Sequence, residues 1–334
     1  MKTKSAGSLS THRAYLGLPP KDGPVEPFAM SPAKVFSIQV SGLAKRLKAI
    51  GCRDVVIGIS GGLDSALALM VARESFRKLR LDIAGIHAYS MPGFGTSSRT
   101  GGNASALCRG LGIDLQTIPI VRACKLHLKD IGHDGKTPDI VFENAQARMR
   151  TLILMNKANM TGGIVIGTGD LSEIALGWST YNGDHMSMFA VNSGVPKTVV
   201  RKVCAYLASV LAKTTPVASA ALADIVDTPV SPELLPGQIT EDKIGPYELH
   251  DFFLWNFIMN EMGPKRLLKE AISYFGDRFP QKTVKWTLDV FVRRFFSQAF
   301  KRNCAPDGIK VFPFELSLHD WWIPSDLGRV KLHG

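Results

Sequence analysis

Six consecutive residues, Ser60-Gly61-Gly62-Leu63-Asp64-Ser65, put two glycines, two hydroxyls and a carboxylate directly after the apolar run Val55-Val56-Ile57-Gly58-Ile59. Glycines without Cβ atoms let backbone N–H groups approach a polyphosphate, and serine hydroxyls and the positive end of a following helix add further donors. The stretch Gly58, Ile59, Ser60, Gly61, Gly62, Leu63, Asp64, Ser65 therefore reads as a nucleotide site. It lacks the lysine of a Gly-x-x-x-x-Gly-Lys-[Ser/Thr] loop and does not fit Gly-x-Gly-x-x-Gly. Asp64 stands where a cation would be expected. A carboxylate in a phosphate cradle repels its ligand unless a divalent cation lies between them, so Asp64 implies Mg²⁺ bridging carboxylate and phosphate oxygens.

A second segment, Gly167 to Asp184, gathers Asp170, Glu173 and Asp184, the aromatics Trp178 and Tyr181, and the hydroxyls of Thr168, Ser172, Ser179 and Thr180. Three carboxylates buried and ionised together need a cation or a ligand amide as companion. Glu173 is the expected second Mg²⁺ ligand, opposite Asp64, because both follow strand ends that would be neighbours in a parallel sheet. Asp170 is read as part of a solvated helix face. Trp178 and Tyr181 can wall a pocket for a planar ring. Core packing is their other reading, and Gly177 and Asn182-Gly183 favour the irregular backbone of a pocket. Asn144 and Arg148, one helical turn apart at the start of a long helix, share a face and could share a ligand, with surface decoration as the alternative.

The elements that must position these residues follow from periodicity. Helical spacing of apolar residues runs from Ala33 to Ile50, strands are expected at 55–59, 82–88, 113–120 and 164–168, and helices at 64–72, through Leu111, at Phe142–Met160 and at Lys197–Leu211. Gly162-Gly163 supplies a left-handed cap after the long helix. An α-rich region covers Tyr247 to Phe300. Alternation of strands and helices with long connections predicts an α/β fold, a doubly wound parallel sheet with flanking helices whose ligands bind at the carboxyl ends of the strands. Residues 1–32 read as a flexible arm and 33–334 as one domain.

With 334 residues and 45% hydrophobic content the chain can bury a large core. No apolar run has the length of a membrane span and the first 30 residues lack the centre of a signal peptide, so a cytoplasmic location is expected. Cys52, Cys108, Cys124, Cys204 and Cys304 are dispersed and odd in number, which argues against a disulfide framework and a zinc site. The formal charge of +11 suits polyanionic ligands. Its basic residues are spread along the chain, so it points to nucleotides more than to nucleic acid. Trp321-Trp322 reads as a packing or dimer element.

The loop Ser60–Ser65 resembles the PP-loop of the ATP pyrophosphatases, which hold the β,γ-diphosphate of ATP and transfer AMP. With Phe142–Arg150, Gly167–Asp184, Val195-Pro196-Lys197-Thr198, the segment Asp227–Pro236 and Arg293–Lys310, in collinear order, the chain resembles the synthetase domain of NAD⁺ synthetases, more closely the glutamine-dependent kind. The resemblance implies a Rossmann-like fold of the adenine nucleotide alpha hydrolase type. It implies ATP and Mg²⁺ as cofactors and adenylation of the nicotinate carboxylate of deamido-NAD⁺, followed by amidation with ammonia. Residue by residue it implies that Ser60, Gly62, Asp64 and Ser65 hold diphosphate and metal, with Asp64 and Glu173 the metal ligands. Thr168 and Lys197 would meet the ATP side. Asn144, Arg148, Glu173, Trp178, Ser179, Thr180 and Tyr181 would contact the dinucleotide. Asp184 would lie near the ammonia position and Lys301 would belong to a mobile loop that closes over the substrate. A homodimer or higher homo-oligomer is implied too. The amino-terminal amidase of the glutamine-dependent kind does not fit in about thirty residues, so free ammonia or a separate amidase subunit is the expected nitrogen source, with a truncated form of a longer protein as the alternative. A PP-loop enzyme acting on RNA would share the adenylation chemistry but not the Gly177–Asp184 segment.

Overall fold

The computed structural model describes residues 27–316 apart from 232, 233, 236 and 238. Trp321-Trp322 and residues 1–26 of the expected arm lie outside the described residues. Phe28 does not belong to an arm. It is buried, with ring centroids 4.8 Å from Trp255 and 5.0 Å from Phe312, and helix α1 (Pro32–Ile50) follows, begun by a proline in its first turn and closed by left-handed Gly51.

Strands β1 (Val55–Gly58), β2 (Ile86–Ser90), β3 (Leu115–Thr117), β4 (Ile164–Gly167) and β5 (Phe189–Ala190) form one sheet in the order β3-β2-β1-β4-β5. All four pairings are parallel, with Val55 opposite Ile86 on one side and Ile164 on the other. Side chains alternate across the sheet. Val55, Ile57, Ile86, Ala88 and Ile166 enter one apolar cluster, and Val56, Tyr89 and Val165 enter another. The first face carries α1, α2 (Leu63–Leu79) and α7 (Lys197–Leu211), and the second carries α5 (Ile140–Thr161). The doubly wound sheet expected from the sequence is therefore present.

Helix α3 (Ser98–Leu111) precedes β3, α4 (Val121–Asp130) follows it, and α6 (Leu171–Leu176) follows β4. Beyond α7 come α8 (Pro216–Asp227), α9 (Thr240–Ile244), α10 (Tyr247–Met259), α11 (Pro264–Phe275), α12 (Gln281–Ser297) and α13 (Ala299–Arg302). One strand lies further along than expected. Residues 83–85 form a 3₁₀ turn capped by the Asp82 carboxylate on the Ala84 N–H at 3.0 Å, and β2 begins only at Ile86. A Cβ on Gly85 would stand 2.3 Å from the Arg53 carbonyl, so this turn requires its glycine.

Strand order reverses at β1, which lies between β2 and β4, and such a switch opens a crevice at the carboxyl ends of the strands. A buried amide pins its two lips together. Asn192 Nδ2 donates to the Asp64 carbonyl at 2.9 Å and the Thr168 carbonyl at 3.0 Å, while Gln39 Nε2 donates to Asn192 Oδ1 at 2.9 Å.

Candidate active site

The loop after β1 folds on its own hydroxyls. Gly62 N–H donates to Ser60 Oγ, Ser65 Oγ donates to the Gly62 carbonyl, and the two serine oxygens lie 3.1 Å apart. The two glycines serve different ends. At Gly61, with φ +86°, a Cβ would stand 2.0 Å from the Thr100 carbonyl, so its requirement is packing against α3. At Gly62 a Cβ would meet only Ser60 Oγ, at 3.3 Å, and Gly62 faces a cavity of about 510 Å³ that Gly61 does not line.

Four charged side chains meet beside that loop. Asp64 comes from the first turn of α2, Asp170 is the N-cap of α6, Glu173 is its third residue and Lys197 opens α7. Lys197 Nζ lies 2.6 Å from Asp64 Oδ2, 2.9 Å from Glu173 Oε1 and 3.1 Å from Asp170 Oδ2. Ligand atoms of the three acids all fall within 4.8 Å of one another. The sequence reading of Asp170 as a solvated face is wrong. It is 0% exposed because Asp170 and Glu173 cap each other's backbone N–H groups, an arrangement that turns both carboxylates inward toward Lys197.

Burial pushes the Glu173 carboxyl up to about 7, against Lys197 and with the help of Asp64. Burial also raises Asp170 well above the ordinary carboxylate range, with Lys197 opposing and Glu173 and Asp64 reinforcing. For Lys197, burial works against the charge, but Asp170, Asp64 and Glu173 outweigh it and hold the ammonium well above its ordinary value. Asp64 Oδ1 is buried without a hydrogen-bond partner, and Asp170 Oδ2 has its ion pair with Lys197 and no hydrogen bond. An all-oxygen donor set with an unsatisfied buried atom fits a hard divalent cation such as Mg²⁺.

Behind the cluster, Asp251 of α10 joins the starts of α6 and α7. It accepts from Ser172 Oγ, from the Thr198 N–H at 3.0 Å and from Thr198 Oγ1 at 2.6 Å, and Ser172 Oγ in turn accepts from the Lys197 N–H at 2.9 Å.

The far side of the cavity is the loop after α6. Gly177, at φ +54°, turns the chain where a Cβ would stand 2.4 Å from Gln298 Cβ. Carbonyls released at this helix end are taken by cations of α12 and α13. Arg302 donates to Ala175 O at 3.0 Å, Arg294 to Leu176 O at 2.9 Å and Gly177 O at 3.1 Å, and Lys301 Nζ to Gly177 O at 2.8 Å and Ser179 O at 2.6 Å. Burial, and then Arg294, lower the Lys301 pKa, which Asp184 partly restores.

Of the residues expected at the site, Gly58, Ile59, Ser60, Gly62, Leu63, Asp64, Ser65, Thr168, Glu173, Trp178, Ser179, Asp184 and Lys301 line the cavity. Lys197 lies beneath them. Asn144, Arg148, Thr180 and Tyr181 do not line it and hold one another at its outer rim. Thr180 Oγ1 donates to Asn144 Oδ1 at 2.7 Å and Arg148 Nε donates to the Tyr181 carbonyl at 3.3 Å. One face of Trp178 is taken by the Arg294 guanidinium, 4.8 Å from the ring centroid. Asp184 Oδ1 accepts from the Thr180 N–H at 2.7 Å. His185 Nδ1 accepts from the Asn182 N–H at 3.0 Å, which leaves the proton on Nε2, facing Cys304 Sγ at 3.5 Å, so its ring ties the loop to α13. Sequence reasoning passed over Arg150, which lines the cavity and donates to the Met91 carbonyl at 3.1 Å. It also passed over Asp251 and Arg294, and named Ser172 only among the hydroxyls of its segment; Asp170 carried a local clue, the Asp-x-x-Glu spacing of a capping box.

Comparison with known proteins gives a consistent picture. Residues 35–291 match the family described as NAD synthase. The chain is 40% identical over 324 residues to the glutamine-dependent NAD(+) synthetase of Mycobacterium leprae, covering 88% of this chain and 48% of that protein. It thus spans about half the length of the curated relatives it matches. Among solved structures, the glutamine-dependent NAD(+) synthetase of Cytophaga hutchinsonii superposes with a TM-score of 0.72 at 17% identity, over 88% of this chain and 54% of that one. The NMN synthetase of Francisella tularensis superposes at 0.59 with 25% identity, over 76% of this chain and 96% of that one.

Proposed function

Because the chain belongs to the NAD synthase family, we propose that it converts deamido-NAD⁺ to NAD⁺ by ATP-dependent adenylation and ammonia-dependent amidation. The observation that carries this reading is the buried Lys197 among Asp64, Asp170 and Glu173, set directly against the Ser60–Ser65 loop in the main cavity.

In this reading the hydroxyls of Ser60 and Ser65 and the amides at the start of α2 receive the β- and γ-phosphates, with Thr168 on the opposite lip. Asp64 and Glu173, with Asp170 behind them, would hold Mg²⁺, which when bound offsets the charge of the departing diphosphate. A nicotinate carboxylate oxygen attacks the α-phosphorus of ATP, the bond from that phosphorus to the bridging oxygen breaks, and diphosphate leaves. Ammonia then attacks the acyl carbon and AMP departs with the bonding electrons. A carboxylate has no good leaving group and its adenylate does, so the protein's tasks are positioning and charge stabilisation. Asp184 takes the proton that the nucleophile must lose. Lys301 stands beside the developing charge, and Trp178, Ser179, Thr180 and Tyr181, backed by Asn144 and Arg148, form the dinucleotide side.

The test is NAD⁺ and AMP production from deamido-NAD⁺, ATP, Mg²⁺ and ammonium by the purified chain. Equal amounts of both are expected. Amidation of nicotinate mononucleotide but not of the dinucleotide would reassign the substrate, and no product from either would overturn the reading.

A further inference from the structure

Lys197 occupies an unfavourable position for a lysine. It is the first residue of α7, where a cation meets the positive end of the peptide dipoles, and it is only 2% exposed. What holds it there is the acid cluster, whose three carboxylates face this one ammonium at 2.6, 2.9 and 3.1 Å. Those are oxygens that would ligate a divalent ion, and their mutual spacing within 4.8 Å suits one. The ammonium pairs with Asp170 Oδ2 but leaves Asp64 Oδ1 without a partner, so it does not use up every ligand oxygen of the cluster.

We infer that Lys197 is an internal cation occupying the metal's oxygens in the nucleotide-free chain, and that it leaves them for the phosphates of a nucleotide when a divalent ion binds. The inference rests on the reading of the Ser60–Ser65 loop as a nucleotide site. Two cations crowded on the same oxygens repel each other, and the nearest new source of negative charge is a diphosphate in the adjoining loop. The direction of movement is also set. The Tyr247 ring closes the inner side, its centroid 5.4 Å from Nζ, while Asp64 and Glu173 open on the cavity. The flexible four-carbon stem of lysine permits the move by side-chain rotation. Metal and nucleotide binding are then coupled, each favouring the other.

The experiment measures Mn²⁺ affinity of the metal-stripped chain by electron paramagnetic resonance, with Mn²⁺ alone and with inorganic diphosphate. It is done on wild type and on Lys197→Met. Wild type is expected to bind Mn²⁺ at least about tenfold more tightly with diphosphate present, beyond the affinity of diphosphate itself for Mn²⁺. Lys197→Met is expected to bind Mn²⁺ alone at least about tenfold more tightly than wild type. If that variant unfolds without metal, Mn²⁺ alone should restore its fold and raise its Tm more than that of wild type. Equal Mn²⁺ affinity in wild type and variant, no rescue of an unfolded variant, or no effect of diphosphate on wild type overturns the inference. A chain that shows the exchange and makes no NAD⁺ overturns the proposed reaction only. One that makes NAD⁺ without the exchange overturns only the cation role of Lys197.

Discussion

The two ends of α6 handle charge in opposite ways. At its start, Asp170 and Glu173 face a single ammonium shared with Asp64, so the carboxylates outnumber their cation and the buried Asp64 Oδ1 stays unpaired. At its end, Arg294, Lys301 and Arg302 are bound to carbonyl oxygens of residues 175–179. The first end has unmet charge that a ligand can answer. The second supplies each freed carbonyl with a donor and fixes the path of the loop that walls the cavity. A short helix can thus join a region built to exchange partners to a region built to keep them, and substitutions at the two ends should fail differently.

The largest effect is expected at the exchanging end. Asp64→Asn keeps the side-chain size and removes one charge, and NAD⁺ formation should fall by about a thousandfold, as removal of a transition-state charge contact does. The measurement is kcat with saturating substrates, alongside circular dichroism to show an unchanged fold. A loss of less than about tenfold would erase the contrast between the two ends.

At the fixed end, Arg302→Leu should act on stability. Arg302 is 1% exposed, donates to Ala175 O and to Phe295 O at 2.6 Å, and lies over the Phe295 ring at 4.5 Å. Leaving two buried carbonyls unpaired costs about 2–4 kcal/mol, read as a shift in urea midpoint at constant m-value. A neutral result would mean that the carbonyl contacts do not hold the loop.

Asp251→Ala tests the link behind the charged cluster. It strands Ser172 Oγ and the Thr198 N–H, and a loss of about 2 kcal/mol in stability is expected. A raised KM for ATP should accompany it, because the Lys197 N–H is held through Ser172. Unchanged KM would confine Asp251 to a structural role.

The most gradual effect is a pH slope. His250, also on α10, is buried, and that burial lowers its pKa from 6.5 to about 4, although its contact with the Ile244 carbonyl opposes the shift. Its stabilisation is therefore complete above pH 6.5 and is lost as pH falls toward 4, at about 1 kcal/mol per pH unit. Asp251 runs the other way. Burial holds its carboxyl up to about 6, so its contribution is complete below the ordinary 3.8 and is lost as pH rises through 6. Comparing wild type with His250→Gln by urea unfolding at several pH values isolates the histidine. Parallel slopes for the two proteins would contradict the burial argument.

Much of this architecture was legible from local pattern. The apolar runs at 55–59 and 164–168 became adjacent strands, which is why Asp64 and Glu173 could be placed together in advance, and α7 begins and ends where its periodicity does. What was missed depends on long-range contact. Asp170 looked solvated because the lysine that buries it belongs to another helix. β5 is two residues long and carries no periodicity. The Asp82 turn delayed β2 because a side-chain cap competed with a strand that the apolar residues alone suggested. Asn144 and Arg148 were rightly placed on one helix, yet they meet the outer side of the 178–184 loop while Arg150 reaches the cavity.

In the proposed reaction AMP passes to the substrate's carboxylate beside Asp64 and Lys197, and isotope transfer follows that step atom by atom. Deamido-NAD⁺ labelled with ¹⁸O in both carboxylate oxygens is turned over with ATP, Mg²⁺ and ammonium, and the AMP is weighed by mass spectrometry. One ¹⁸O is expected in every AMP formed and the other in the amide of NAD⁺. Unlabelled AMP, or ADP and phosphate as products, would contradict that reaction.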